Sequence, residues 1–147
     1  MGIKSFELST IDAKRLMKPG PGPQNVRIDH NSTVTFMTAL SDAEASIDFR
    51  FSANYRAQTE EVIGLIKIEG NLVYQGKARE VVKQWSTTQN MPPEVASEIH
   101  TAIMTSCIPE AVLLARDLRL PPPIPMPQVQ IQGQQKPGKH TGGPEVM

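Results

Sequence analysis

The chain has 147 residues, a length that favours one domain whose core can stand without disulfides or metals. Its 15 basic and 15 acidic residues cancel, which removes any bulk attraction to nucleic acid or to an anionic membrane. The single cysteine, Cys107, excludes an intramolecular disulfide framework and fits a reducing compartment.

The start, MGIKSFELSTIDAKRL, has no apolar stretch of the kind that opens a secretory signal, and Ile3 to Leu8 reads as a short strand. KPGPGP, Lys18 to Pro23, is a breaker cluster and so a loop; it lacks the Gly-Lys-Ser/Thr ending of a phosphate-binding loop. Val26 to Leu40 is rich in β-branched residues and reads as one long strand, or as two that meet near His30-Asn31. EASIDFRFSANYR, Glu44 to Arg56, alternates strictly: Ala45, Ile47, Phe49, Phe51, Ala53 and Tyr55 form one face, and polar residues form the other. Val62 to Tyr74 alternates as well, with Ile63 and Leu65 spoiling the parity at its start. Four strands in succession, with no helix between them, predict an antiparallel sheet with one wet face.

After Gly76 the period changes. Ala78, Val81, Val82 and Trp85 fall at helical spacing and predict a helix over Lys77 to Ser86. NMPPEVASEIHTAIMTSC opens a second helix, with Pro93 and Glu94 suited to its first turn. Pro109 predicts a kink or restart at Ile108-Pro109, after which the helix continues to about Leu118. LRLPPPIPMPQVQI, Leu118 to Ile131, alternates proline with large apolar residues, while Gly133 to Met147 is too polar to bury and reads as a flexible tail. The expectation is an α+β domain over residues 1–132, a four-stranded antiparallel sheet with helices on one face, and a tail over 133–147.

Residues that could carry chemistry are few. His100 and Cys107 share a helix face, but zinc needs four ligands and no second cluster accompanies them, so a packed thiol and a hydrogen-bonded imidazole are expected. Glu60-Glu61 and Glu94/Glu98 read as solvated acidic pairs, and Lys77, Arg79 and Lys83 as a wet helix face. No nucleophile elbow, zinc-protease motif or dinucleotide fingerprint occurs, so neither catalysis nor a cofactor is expected. The Asn31-Ser32-Thr33 sequon carries no weight in a chain that is not secreted. No apolar run nears the roughly 18 residues of a membrane span.

The order of parts, with Pro109, Ala115-Arg116, Leu120-Pro121-Pro122 and Pro125 to Val129 in matching places, resembles the SecB export-chaperone family. That resemblance implies a cytoplasmic, ATP-independent holdase that binds extended apolar segments of unfolded proteins, serving export or antitoxin protection. It also implies a homo-oligomer, dimer or tetramer. The family is markedly acidic where this chain is neutral, so contact of the sheet with the motor protein SecA is not implied. The polypeptide-binding groove is expected from Phe49, Phe51, Trp85, Leu118, Leu120, Ile124 and Met126. The proline segment would either strap the core or wall that groove, its backbone pre-set in an extended form. An oligomeric adaptor with one fixed protein partner is the alternative function.

Overall fold

A computed structural model describes residues 2–17 and 26–123. They form four strands, β1 (Gly2–Arg15), β2 (Val26–Ala39), β3 (Glu44–Ala57) and β4 (Val62–Gln75), followed by α1 (Ala78–Thr88) and α2 (Pro93–Asp117). The strands make one antiparallel sheet in the order β1-β4-β3-β2, so the first two strands in sequence are its two edges. This is the expected α+β architecture. The residues from 124 onward, and with them the domain end at 132 and the tail, lie outside the described residues.

The strict alternation of β3 has a direct cause. Ala45, Ile47, Phe49, Phe51, Ala53 and Tyr55 all lie under the helices, at 1% exposure or less. On β4 the same face carries Ile66, Ile68, Leu72 and Tyr74. The parity conflict at Ile63 is a bulge: Tyr55 pairs with Gly64 and Arg56 with Val62, leaving Ile63 as the extra residue.

β1 is much longer than the sequence predicts, and bulges explain why. Ile3 pairs with Tyr74 and Ser5 with Val73, so Lys4 is extra; Leu8 pairs with Gly70 and Thr10 with Glu69, so Ser9 is extra. The residues paired with the apolar side of β4 are therefore Ile3, Phe6, Leu8, Ile11 and Ala13, at spacings that match neither a strand nor a helix. β2 is not broken near His30-Asn31. Its irregularity comes later, where Val34 pairs with Phe49 and Phe36 with Asp48, leaving Thr35 extra.

α2 runs through Pro109 without a restart. Its buried seam is Ile99, Ile103, Cys107, Ala111 and Ala115, all fully buried, so the turns on both sides of the proline are fixed by packing. Pro109 itself is exposed, as is Thr105, the residue four earlier whose carbonyl loses its helical donor, so solvent can reach that turn. The far half of the seam is small, Cys107-Ala111-Ala115, which lets the helix approach a sheet floor built from Phe51 and Tyr55. α1 is held at the opposite end, where the Ala78 and Gly76 amides donate to the carbonyls of Asp42 and Ala43 in the β2–β3 turn.

Candidate polypeptide-binding site

The helix-to-proline junction is fixed by backbone geometry. At the end of α2, Arg119 adopts a left-handed conformation (φ 58°). The Leu120 amide donates to the Ala115 carbonyl at 2.8 Å, and the Arg119 amide donates to Arg116 at 3.2 Å. That pair of bonds is a Schellman stop, and its usual apolar contact is present because Leu120 and Ala115 are both buried.

Beyond the stop, the chain crosses the sheet toward the β2 edge and is pinned at each step. The Tyr55 hydroxyl donates to the Pro121 carbonyl at 2.8 Å. The His30 Nε2 bonds the Pro123 carbonyl, and Pro123 is among the most deeply buried side chains. Burial pushes the Tyr55 phenol well above its ordinary range, so it keeps its proton and remains a donor.

His30 is the first member of a polar track along the inner side of β2. Ser32, two residues on, meets His100 of α2, with Oγ to Nδ1 at 2.7 Å. Burial lowers the affinity of His100 for a proton, which favours the neutral imidazole. Phe51 lies beside this track, its ring centroid 6.3 Å from that of His30. The other possible partner of His100, Cys107, is fully buried, and its thiol is pushed up to about 11 by burial and by Glu110. Among the described residues no group of three or more metal-ligating side chains comes together.

The residues expected to form the groove divide into three groups. Phe49 and Phe51 lie beneath the helices as core, and Phe6 stacks on Phe49 across β4 with centroids 4.8 Å apart. Gly70 makes that stack possible, because a Cβ there would lie 2.8 Å from the Phe49 ring. Leu120 is buried at 7% exposure, while Leu118 and Trp85 are half-buried and pack on the core from its margin. Ile124 and Met126 lie outside the described residues. The structure adds Tyr55, His30 and Ser32, which the sequence reading did not place at the site, and joins to them His100, which is hydrogen-bonded as expected. The inward parity of His30 and Ser32 between Ile28 and Val34 was the available signal.

Apolar surface remains uncovered at the margins. On β1, Leu8 is 38% and Ile11 47% exposed, although both pair with buried positions of β4. Leu113 is exposed on the outer side of α2. No described helix is long and apolar enough to cross a membrane.

No protein-family model matches the chain, and no curated protein matches it in sequence. Among solved structures it is similar to a SecB-like chaperone from Mycobacterium tuberculosis, in complex with a ChAD peptide from the HigA1 antitoxin. The TM-score is 0.57 at 14% identity, over 91% of each chain. The likeness shows a SecB-like fold.

Proposed function

We propose that this protein is an ATP-independent holdase that binds extended apolar segments of unfolded proteins in a reducing, cytoplasmic compartment. The observation that carries the reading is the fold, shared over nine tenths of both chains with a chaperone solved in complex with an antitoxin peptide. The molecule supports it in a second way. Its apolar sheet face extends past the helices at the β1 edge, where Leu8 and Ile11 remain partly in water. In this reading Trp85 and Leu118 line the client path at the core margin, Phe49 and Phe51 support it from within the core, and Ile124 and Met126 continue it along the proline segment.

Homo-oligomerisation, to a dimer or tetramer, belongs to the same proposal. Leu8, Ile11 and Leu113 are large apolar side chains that a second copy would cover. Docking on a SecA-type motor is not part of it. The open sheet face mixes charges, with Arg50 paired to Glu69 and Arg56 near Asp29, and so lacks a single-sign surface.

The test is aggregation suppression without nucleotide, using several chemically unrelated unfolded proteins. A holdase protects most of them at near-stoichiometric ratios. Protection of none, together with capture of one folded partner, would replace the holdase with the adaptor.

A further inference from the structure

Beyond the stop at Arg119, Leu120 to Pro123 form a strap that lies across the strands rather than along them. Beneath it, one row of paired residues runs from Arg15 on β1 to Gly64 on β4, Tyr55 on β3 and Ile28 on β2, with His30 next on the same side of β2. Leu120 sits over Gly64, the Pro121 carbonyl accepts from the Tyr55 hydroxyl, and the Pro123 carbonyl meets His30 Nε2. We propose that this row is a seat for an extended apolar segment of another polypeptide, that the strap fills it in the empty protein, and that a bound segment displaces the strap.

The way the strap is held supports this reading. Both pins grip main-chain carbonyls, two residues apart, and every extended chain presents carbonyls at that interval. Leu120 and Pro123 are buried while Pro121 and Pro122 between them are exposed, so two side chains anchor the whole segment. The three prolines carry no N–H and cannot pair with a strand, whereas an ordinary chain could add amide bonds to the same carbonyl contacts. The row also holds a donor that the strap leaves unused. Arg15 Nε is buried without a partner among the described residues, although Nη1 of the same side chain donates to the Met17 carbonyl at 2.9 Å. A buried donor left unmet is costly, and a segment that reaches one strand further than the strap would bring it a carbonyl.

The hinge favours release. Arg119 is left-handed in the closed strap, a strained conformation for an L-residue that relaxes once the strap swings out. α2 is fixed separately by its seam from Ile99 to Ala115, so the strap can leave without unpacking the helix.

That the segment belongs to an unfolded client rests on the holdase reading, so the seat is probed apart from it. The probe is fluorescein-labelled Leu-Pro-Pro-Pro-Ile-amide, a pre-extended peptide, titrated into the full chain by anisotropy. Leu120→Ala loosens the strap and leaves the seat residues unaltered. It should tighten probe binding about tenfold or more, because apparent affinity follows the open fraction. Arg119→Gly relieves the strain of the closed form and should weaken binding by about twofold to fivefold. In the wild type, saturating probe should speed amide hydrogen exchange at Leu120, whose bond to the Ala115 carbonyl is lost, and leave Ile103 protected. That measurement decides the matter if Leu120→Ala fails to fold. No probe binding, unchanged or weaker binding by a folded Leu120→Ala, or slower exchange at Leu120 would each overturn the proposal and make the strap permanent core. Aggregation assays read the holdase independently. A strap displaced by the probe, with no unfolded protein sheltered, keeps the seat and removes the chaperone. Unfolded proteins sheltered with the strap unmoved keep the chaperone and remove the seat.

Discussion

Leu120 is seated directly over Gly64: a Cβ at that glycine would lie 3.0 Å from Leu120 Cδ1 and 2.8 Å from the Lys14 carbonyl oxygen. The strap that follows α2 can close on the sheet only because β4 has no side chain there, with β1 passing alongside. Gly64→Ala should destabilise the fold by about 1–3 kcal/mol, the usual cost of overpacking. Leu120→Ala should cost about 2–5 kcal/mol, since it empties a buried leucine site. Combining the two should recover only part of the Gly64→Ala loss, because the Lys14 carbonyl cannot be trimmed. Urea melts on the three variants check this.

Tyr55→Phe removes the donor to the Pro121 carbonyl but leaves the ring in place. Pro121 is exposed, so water can take over at its carbonyl, and the loss should stay near about 0.5–1.5 kcal/mol. The same variant should speed amide hydrogen exchange at Arg119 and Leu120 more than at Ile103 in the helix seam. Uniform acceleration along α2 would show that Tyr55 supports the whole helix rather than the strap.

The pH response of stability should have a histidine limb. Burial lowers the folded-state pKa of His100 below its ordinary 6.5, so between the two values the unfolded chain binds more protons. The contribution is therefore present above about pH 6.5 and is lost as pH falls through the lowered value. Neighbouring groups on β2 include His30 and Ser32, so the informative quantity is the difference between proteins. His100→Gln should flatten the decline in stability between pH 7.5 and pH 5 relative to the wild type. Identical slopes would move the limb to another group.

Leu8→Ser/Ile11→Ser should shift sedimentation toward smaller species and leave the melting midpoint of the separated chain nearly unchanged. Side chains exposed at 38% and 47% give up little on truncation unless a second copy covers them. Loss of stability with unchanged mass would mean that these residues pack within their own chain.

Arg119→Gly should raise stability by less than about 1 kcal/mol. A left-handed backbone costs an L-residue roughly 1–2 kcal/mol, and glycine returns part of that gain through its freer unfolded state. Chemical melts resolve a change of that size. A loss instead would mean that the arginine side chain contributes more than its backbone costs.

How far the sequence revealed the fold depended on whether each signal was local. β3 was plain because it lies mid-sheet, covered along its length, and the extra residues opposite it fall on its neighbours, Thr35 of β2 and Ile63 of β4, so its own parity is never shifted. β1 was half hidden because Lys4 and Ser9 each shift the parity and because an edge strand leaves Leu8 and Ile11 partly in water. Pro109 pointed to a break that the packed seam on either side overrides. The stop at Arg119 lacked the glycine that usually marks such a turn, so the strap was legible in composition but not in geometry. At the candidate site, single residues could be found by parity, but the meetings of Ser32 with His100 and of Tyr55 with Pro121 span 68 and 66 positions, and no short-range pattern encodes them.

The strap also sets an order of events during synthesis. Its anchors are Tyr55, His30 and the floor at Gly64, whereas the groups that meet them, Leu120, Pro121 and Pro123, are made after every strand and both helices. While the ribosome is still short of these residues, the β3–β4 corner is uncapped and the buried phenol has no acceptor from the strap. A nascent copy of this protein thus passes through a state with an open apolar corner, the same kind of surface that the finished protein is proposed to shelter in others. Completion of the last helical turn and the prolines after it ends that exposure.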